Sequence, residues 1–403
     1  MTPDHPRSTG SDIRLLYIAR GMRGFGDGFA IIILPAYLSA IGFGPTQIGF
    51  VVSASLLGTA LLTLAVGLVA TRHDLRNLLL AGATLMVATG LAFPNVDQLL
   101  FVLVVAFIGT INPSTGDLGV LVPLEHSMLA HSASDHARTR TFARYSLIGA
   151  LSMAAGSLAA ALPDYFTLAG VDKTTALKFM FYAYAALGVL NVGIYRRLPH
   201  AHVNEQRPAA PLGPSRGMVY KLTALFSLDA FAGGFVVQSL LALWLFERFE
   251  MSLSAAALFF FWASTLSAFS YPVAAWLAKH IGLVNTMVFT HIPSSIFLIL
   301  AAFAPNLFVA LALLLVRAAL SQMDVPTRTS YVMAVVTPAE RAAAASVTAV
   351  PRSLASSISP AMAGALLATG FSGLPLIACG VLKIVYDVAL LVTFRHIKPP
   401  EEL

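Results

Sequence analysis

Apolar stretches interrupted by Gly, Pro or charge recur along the whole chain, and each is close to the roughly 20 residues that a membrane-spanning helix needs. They cover 13–41, 46–70, 76–93, 98–124, 138–162, 175–195, 218–246, 253–278, 284–304, 307–335, 339–368 and 373–395. The stops between them have local causes. Gly42-Phe43-Gly44-Pro45 closes the first stretch, and Thr337-Pro338-Ala339-Glu340 reads as a capping-box start for the eleventh, with Thr as N-cap, Pro at N1 and Glu at N3. The longest polar interval, 196–217, is rich in Pro and Arg and has no apolar period. The pattern predicts an all-α integral membrane protein with twelve transmembrane helices in two pseudo-symmetric six-helix bundles. These bundles span 13–195 and 218–395, with a linker at 196–217 and polar tails at 1–12 and 396–403.

A second pattern lies over the first, because residues of the first half return about 206 to 208 positions later. Gly28-Phe29 matches Gly234-Phe235, Asp117 matches Asp324, and Arg144 matches Arg352. The loop 70–77 returns as 278–285, and Phe93-Pro94-Asn95 reappears, slightly further displaced, as Ala304-Pro305-Asn306. A duplicated bundle around a midplane cavity is the build of many secondary transporters, in which rocking one half against the other exposes the cavity to each side in turn.

Composition narrows the function classes. Of 403 residues 57% are hydrophobic and only 11% charged, with a mean hydropathy of +0.79, whereas a soluble domain carries about 25% charged residues. The single Cys379 leaves neither a disulfide framework nor a thiolate metal cage, and no H-E-x-x-H or P-loop motif occurs, so neither a metal, a cofactor nor ATP hydrolysis is expected. Residues 1–12 are polar and lack a cleavable signal pattern. Arg72, Arg76, Arg138, Arg140, Arg196, Arg197 and Lys279 fall on one side of the predicted spans, against Lys173, Lys178 and Arg248 on the other. The positive-inside bias therefore predicts cytoplasmic termini and an inner (plasma) membrane protein. This asymmetry accounts for the net charge of +6, and no nucleic-acid partner is needed to explain it.

With twelve spans, a 6+6 repeat, a basic central loop and internal termini, the chain resembles the major facilitator superfamily over nearly its whole length. The family's signature between helices 2 and 3, G-x-L-x-D-R-x-G-R-R, corresponds to Gly67-Leu68-Val69-Ala70-Thr71-Arg72-His73-Asp74-Leu75-Arg76. Gly67, Arg72 and Arg76 are kept, but Thr71 and Asp74 replace the family's Asp and second Gly. The resemblance implies alternating access and a gating role for Arg72 and Arg76, with Glu125 as a partner for either. The helix 5 Gly-Pro motif of proton-driven exporters is missing, and Gly149-Ala150-Leu151-Ser152-Met153-Ala154-Ala155-Gly156-Ser157 stands there as a small-residue packing face. Val122-Pro123-Leu124-Glu125 and 322–328 look like stretches of bacterial exporter-like members.

Charges inside apolar spans are expensive in lipid and mark a cavity or a partner. Helix 1 carries Arg20, Arg23 and Asp27, with Arg23 and Asp27 on one face. At about 1.5 Å per residue, Asp27 lies roughly 20 Å along helix 1 and Asp229 roughly 16 Å along helix 7. The repeat sets Asp229 opposite Arg23, and Arg317, Lys383 and Asp387 lie at comparable depth. Arg23, Asp27, Asp229, Arg317, Lys383 and Asp387 are thus candidates for the cavity, with Asp27 or Asp229 as proton carrier; mutual neutralisation is the alternative. Nearer the termini, Asp117 with Arg144 and Asp324 with Arg352 are spaced evenly about hairpin turns and read as symmetric gating pairs. Phe25, Phe29, Phe231, Phe235 and Trp262 are candidate cavity walls, and Pro113, Pro293, Pro326, Pro351 and Pro360 candidate kinks.

Gly24-Phe25-Gly26-Asp27 also resembles the G-x-G-D signature of intramembrane aspartyl proteases, with Asp229 as second carboxylate. The order argues against it, since there the G-x-G-D aspartate comes second. The reading adopted is a monomeric, non-enzymatic secondary transporter exporting a small organic solute in exchange for protons. A facilitator or proton-coupled importer is the alternative. The buried charges nearly balance and state no preference for the charge of the solute.

Overall fold

The computed structural model describes residues 10–70, 72–114, 119–132, 138–202, 212–337 and 340–396, and among these it contains helices and connections but no strand. The helices are α1 (Gly10–Ala40), α2 (Pro45–Val69), α3 (Leu75–Ala92), α4 (Leu99–Ile108), α5 (Leu121–Ser132), α6 (Arg138–Ala159), α7 (Leu162–Leu168) and α8 (Lys173–Tyr195). After the segment 196–215 come α9 (Arg216–Gly234), α10 (Gln238–Phe249), α11 (Leu253–Ile281), α12 (Leu283–Ala302), α13 (Leu307–Ser321), α14 (Asp324–Val335), α15 (Arg341–Leu367) and α16 (Leu374–Phe394). Among the described residues nine helical segments are long and apolar enough to cross a membrane. α1, with Arg20, Arg23 and Asp27, and α15, rich in Ala and Ser, are long but more polar.

Three stretches expected as continuous helices are broken. The fourth ends at Ile108 and resumes at Leu121, because Pro113 has no N–H to give and Gly109 and Asn112 favour irregular backbone. The freed groups find partners. The Thr110 N–H donates to Thr89 Oγ1 at 3.2 Å, Ser55 Oγ donates to the Ile111 carbonyl, and the Ser239 N–H reaches the Pro113 carbonyl at 3.2 Å. The seventh breaks at Phe235–Val237 and the tenth at Gln322–Met323, where the Pro326 ring excludes the carbonyl four residues earlier. The expected capping box at 337–340 is replaced by a different arrangement: Glu340 itself precedes α15, and its carboxylate accepts from Thr337 Oγ1 at 2.6 Å, Ser215 Oγ at 2.7 Å and the Gly213 N–H.

The repeat is visible in how glycines pack. A Cβ on Gly28 in α1 would stand 2.1 Å from the Met153 carbonyl of α6, and one on Gly234 in α9 would stand 2.6 Å from the Ser356 carbonyl of α15. Equivalent crossings therefore use equivalent glycines. The turn 70–77 and its counterpart 278–285 reach the same reversal by different means. Asp74 caps α3 by accepting from the Asn77 N–H at 3.1 Å, whereas Gly282 turns the chain with φ of 86°.

Within the first half α1 packs on α6 and α8, and α3 on α8; within the second α9 packs on α15 and α16, and α12 on α13 and α16. Across the halves α2 meets α15 and α6 meets α11. Hydrophobic burial divides unevenly along the bundle. At the end remote from the termini one core runs through both halves, joining Phe29, Tyr37, Phe181, Trp244, Phe260 and Leu298. At the terminal end it splits in two, one cluster around Leu75, Met128 and Tyr195, the other around Phe226, Met287 and Tyr331.

Candidate functional site

Where the core splits, a cavity of about 540 Å³ opens between the halves. Its wall takes Arg20 and Met153 from α1 and α6, Phe259, Phe260 and Tyr271 from α11, and a band of charge from α9, α12, α13, α14, α15 and α16. The remote end is sealed: Ser239 Oγ donates to the Ile31 carbonyl at 2.9 Å, the Ala361 N–H donates to Ser53 Oγ at 2.8 Å, and Asp164 accepts from Ser254 Oγ at 2.7 Å.

The second half contributes a connected ionic network. Asp229 on α9 accepts from Lys383 Nζ at 2.6 Å and from Arg328 Nη1 at 3.1 Å, and the same Arg328 nitrogen lies 3.0 Å from Asp324. Lys383 also donates to His291 Nε2 at 3.1 Å, while His291 Nδ1 meets Asp387 at 3.0 Å. Since Nε2 accepts from an ammonium, Nδ1 carries the ring proton and donates it to Asp387. One chain of contacts therefore runs Asp387, His291, Lys383, Asp229, Arg328, Asp324 across α16, α12, α9 and α14.

The first half holds a separate, drier knot. Arg23 on α1 donates to Glu125 on α5 at 2.5 Å, and Glu125 is 0% exposed. Its other acceptor sites are filled by the hydroxyls of Tyr195, at 2.5 Å, and Tyr145. Asp27 lies apart from both networks, half-buried beside Tyr184 at 3.5 Å, whose hydroxyl also meets Thr110 Oγ1 at 3.1 Å. These three residues line a small pocket of about 20 Å³ at the break between α4 and α5.

Several expectations change accordingly. Arg23 is held by Glu125 and not by Asp229, which has its own cations within the second half. Lys383 and Asp387 do not pair with each other: Lys383 reaches Asp229 and Asp387 reaches His291. Glu125 faces Arg23, so neither basic loop residue is its partner; Arg76 donates to the Arg196 carbonyl at 2.6 Å and meets His200 at 3.0 Å, and Arg72 is exposed. Asp117 lies outside the described residues, and Arg144 is exposed on α6. Asp324 pairs with Arg328, one helical turn away, in preference to Arg352 on another helix. Arg317 and Arg352 both face the cavity.

Phe29 is buried against Phe25 and Tyr184, Phe231 packs on Phe235, and Trp262 is 49% exposed on the outer surface, so the aromatic wall is Phe259, Phe260 and Tyr271 instead. Asp27 and Asp229 sit in separate environments and form no carboxylate dyad.

His291 and Arg328 were missed as site residues, although each is a titratable residue in an apolar or membrane-depth run, and that is a readable signal. Tyr145, Tyr184 and Tyr195 carry no such signal, because a tyrosine in a spanning helix is ordinary. Among the described residues no group of His, Cys, Asp and Glu is arranged to hold a metal.

An all-helical membrane protein whose halves fuse at one end and part around a charged cavity at the other has the build of a solute carrier. The model of the Major Facilitator Superfamily matches residues 16–245, more than half of the chain, and the protein belongs to that superfamily. It is a transporter of the secondary kind, and the fold is not that of an enzyme. The nucleoside transporter NupG is 16% identical with a TM-score of 0.75, over 95% of this chain and 99% of its own. A bacterial homolog to the human lysosomal transporter Spinster, inward-facing and unoccupied, is 14% identical with a TM-score of 0.73, over 97% and 98%. The xylose transporter XylE from E. coli, inward open, is 14% identical with a TM-score of 0.70, over 94% and 95%. The Saccharomyces cerevisiae protein named "Uncharacterized membrane protein YJR124C" is 24% identical over 420 residues, 95% of this chain and 94% of its own.

Proposed function

We propose that this protein is a monomeric, twelve-span alternating-access carrier that exports a small organic solute in exchange for protons, with both termini in the cytoplasm of a cell bounded by its inner (plasma) membrane. The bundles are 13–195 and 218–395, and the cavity opens toward the cytoplasm. The observation that carries the reading is the 540 Å³ cavity set between a fused core and a split one. That volume lies in the usual range for a bound small molecule, about 300–1,000 Å³. The matched residues of the two halves and the basic side of the spans support the same picture.

The network suggests how a proton reaches the solute site. A proton on His291 Nε2 removes the acceptor that Lys383 uses, so two cations then face each other where a hydrogen bond stood. Lys383 is pushed off, and Asp229 at the cavity wall is left to Arg328. Around His291 the relevant groups are Asp387, Lys383 and Tyr386 on α16, Asp229 on α9, and Arg328 with Asp324 on α14. Asp27, beside Tyr184, remains the other candidate proton carrier. Asp229 is a poor one, because Lys383 and Arg328 already occupy both of its carboxylate oxygens.

The test uses the full chain in liposomes loaded with a pH-sensitive dye, given a nucleoside, xylose, a dipeptide, gluconate or glucose 6-phosphate. Solute movement with a pH change that His291→Gln or Asp27→Asn abolishes supports the exchanger. Movement without any pH change makes the protein a facilitator, a proton entering with the solute makes it an importer, and no movement of any solute refutes the reading.

A further inference from the structure

We propose that the carried solute is an organic anion bearing a carboxylate or a phosphate group, received by Arg317 and Arg352 in the cavity. The inference rests on the carrier reading above and adds the chemical class of its cargo. It comes from the way the cavity charges are already committed. Among the described residues the wall carries Arg20, Arg317, Arg328, Arg352 and Lys383 against the carboxylates Asp229 and Asp324. Asp229 is taken by Lys383 and Arg328, and Asp324 by Arg328. None of the other buried carboxylates lines the cavity: Glu125 is closed in the first half by Arg23 and two tyrosines, Asp387 is spent on His291, and Asp12, Asp74 and Glu340 lie outside its wall. Arg317 and Arg352 are left with no ion pair and no hydrogen bond from their guanidinium groups among the described residues.

Two unpaired cations in an apolar bundle are costly unless something negative meets them there. A guanidinium presents its donors as a flat fork that matches two oxygens of a carboxylate or a phosphate, which a compact ammonium does not. Phe259, Phe260, Leu298 and Leu314 supply the apolar wall for a carbon skeleton. A neutral sugar or a cation would leave both guanidinium groups without a counter-charge.

The experiment holds the skeleton constant and varies the charge. Thermal unfolding of the purified full chain is followed with glucose, glucosamine, gluconate and glucose 6-phosphate. The expected result is stabilisation by gluconate, by glucose 6-phosphate or by both, which separates a carboxylate site from a phosphate site, and none by glucose or glucosamine. Arg317→Gln and Arg352→Gln should each weaken anion binding about tenfold, the equivalent of about 1.4 kcal/mol. Arg317→Lys and Arg352→Lys keep the charge but lose the fork, and should lose less; they carry the test if a glutamine variant fails to fold. Equal stabilisation by glucose or glucosamine, no stabilisation by either anion, or anion binding untouched by all four variants overturns the proposal. Spin-label distances across the terminal ends of the halves read the carrier motion separately. If those distances show two interconverting populations while no anion binds, the anion assignment falls and the carrier reading stands. A single fixed distance under every condition sinks the carrier reading itself.

Discussion

The seal at the remote end includes one close glycine crossing, and adding a methyl group to it should tip the carrier toward its other state. In α2 a Cβ on Gly49 would lie 2.6 Å from the Pro360 carbonyl and 2.8 Å from Gly364 Cα; in α15 a Cβ on Gly364 would lie 2.4 Å from the Pro45 carbonyl. All of these obstacles are backbone atoms, so no side chain can swing aside and the two helices must separate. Overpacking of this kind costs about 1–3 kcal/mol, and 1.4 kcal/mol is a factor of about ten in population. A state in which α2 and α15 part at the remote end does not bear that cost. Gly49→Ala and Gly364→Ala should therefore enrich the state closed at the terminal end, by roughly fivefold to a hundredfold. Spin labels in a Cys379→Ser background at Arg140 on α6 and Lys279 on α11, exposed residues near the terminal ends of two helices that meet across the halves, report the change as a shorter mean distance. Gly67→Ala, also in α2 but with nothing within 4 Å of its added Cβ, is the control that should change nothing. An unchanged distance distribution in both crossing variants, with only a lower unfolding temperature, would reduce the glycines to packing residues and refute the argument.

The knot of the first half is a stability element. Glu125→Gln leaves Arg23 buried without a charge partner and should lower stability by about 3–5 kcal/mol, seen as a lower unfolding midpoint in detergent. Because Arg23 and Asp229 belong to different networks, Arg23→Asp combined with Asp229→Arg should restore no transport lost by either single change; recovery to half the parent rate would place them in direct contact after all. Glu340→Ala removes the acceptor shared by Gly213, Ser215 and Thr337 and should speed amide exchange over 212–216, and an unaltered rate there would show that the clamp does not order the segment entering α9.

Much of the architecture is legible because lipid constrains it heavily. A helix in a bilayer must be apolar over a fixed length, and the two halves keep their punctuation at a nearly constant offset. Gly28 and Gly234 could be matched from sequence alone because both serve the same close crossing. Breaks were less legible. Pro113 and Pro326 announce them, but whether a proline kinks a helix or ends it depends on neighbours such as Ser55, Thr89 and Ser239 that take up the freed backbone groups. Pairing was the least legible of all. Depth along a helix can be counted, but rotation about its axis and the tilt of neighbours cannot, so Arg23 was set opposite Asp229 when Glu125 lay nearer on a helix whose start was itself displaced by a break.

The near balance of buried charge in the sequence hid the property that bears on function. Counting treats every carboxylate alike, yet Glu125 and Asp387 are both 0% exposed and closed off by their own partners, while Arg317 and Arg352 face open space. A chain balanced in total can therefore enclose a cavity that is not. The same separation distinguishes the halves. The first closes its Arg23–Glu125 pair where water does not reach, and such a pair resists rearrangement because breaking it strands a buried charge. The second places Asp229, Arg328 and Lys383 at the cavity wall, where a solute or a proton on His291 can replace one contact with another at little net cost. On the proposed reading, the duplicated fold thus supplies one more rigid half and one adjustable half, and, Asp27 apart, substitutions that uncouple proton movement from solute movement should fall in the second.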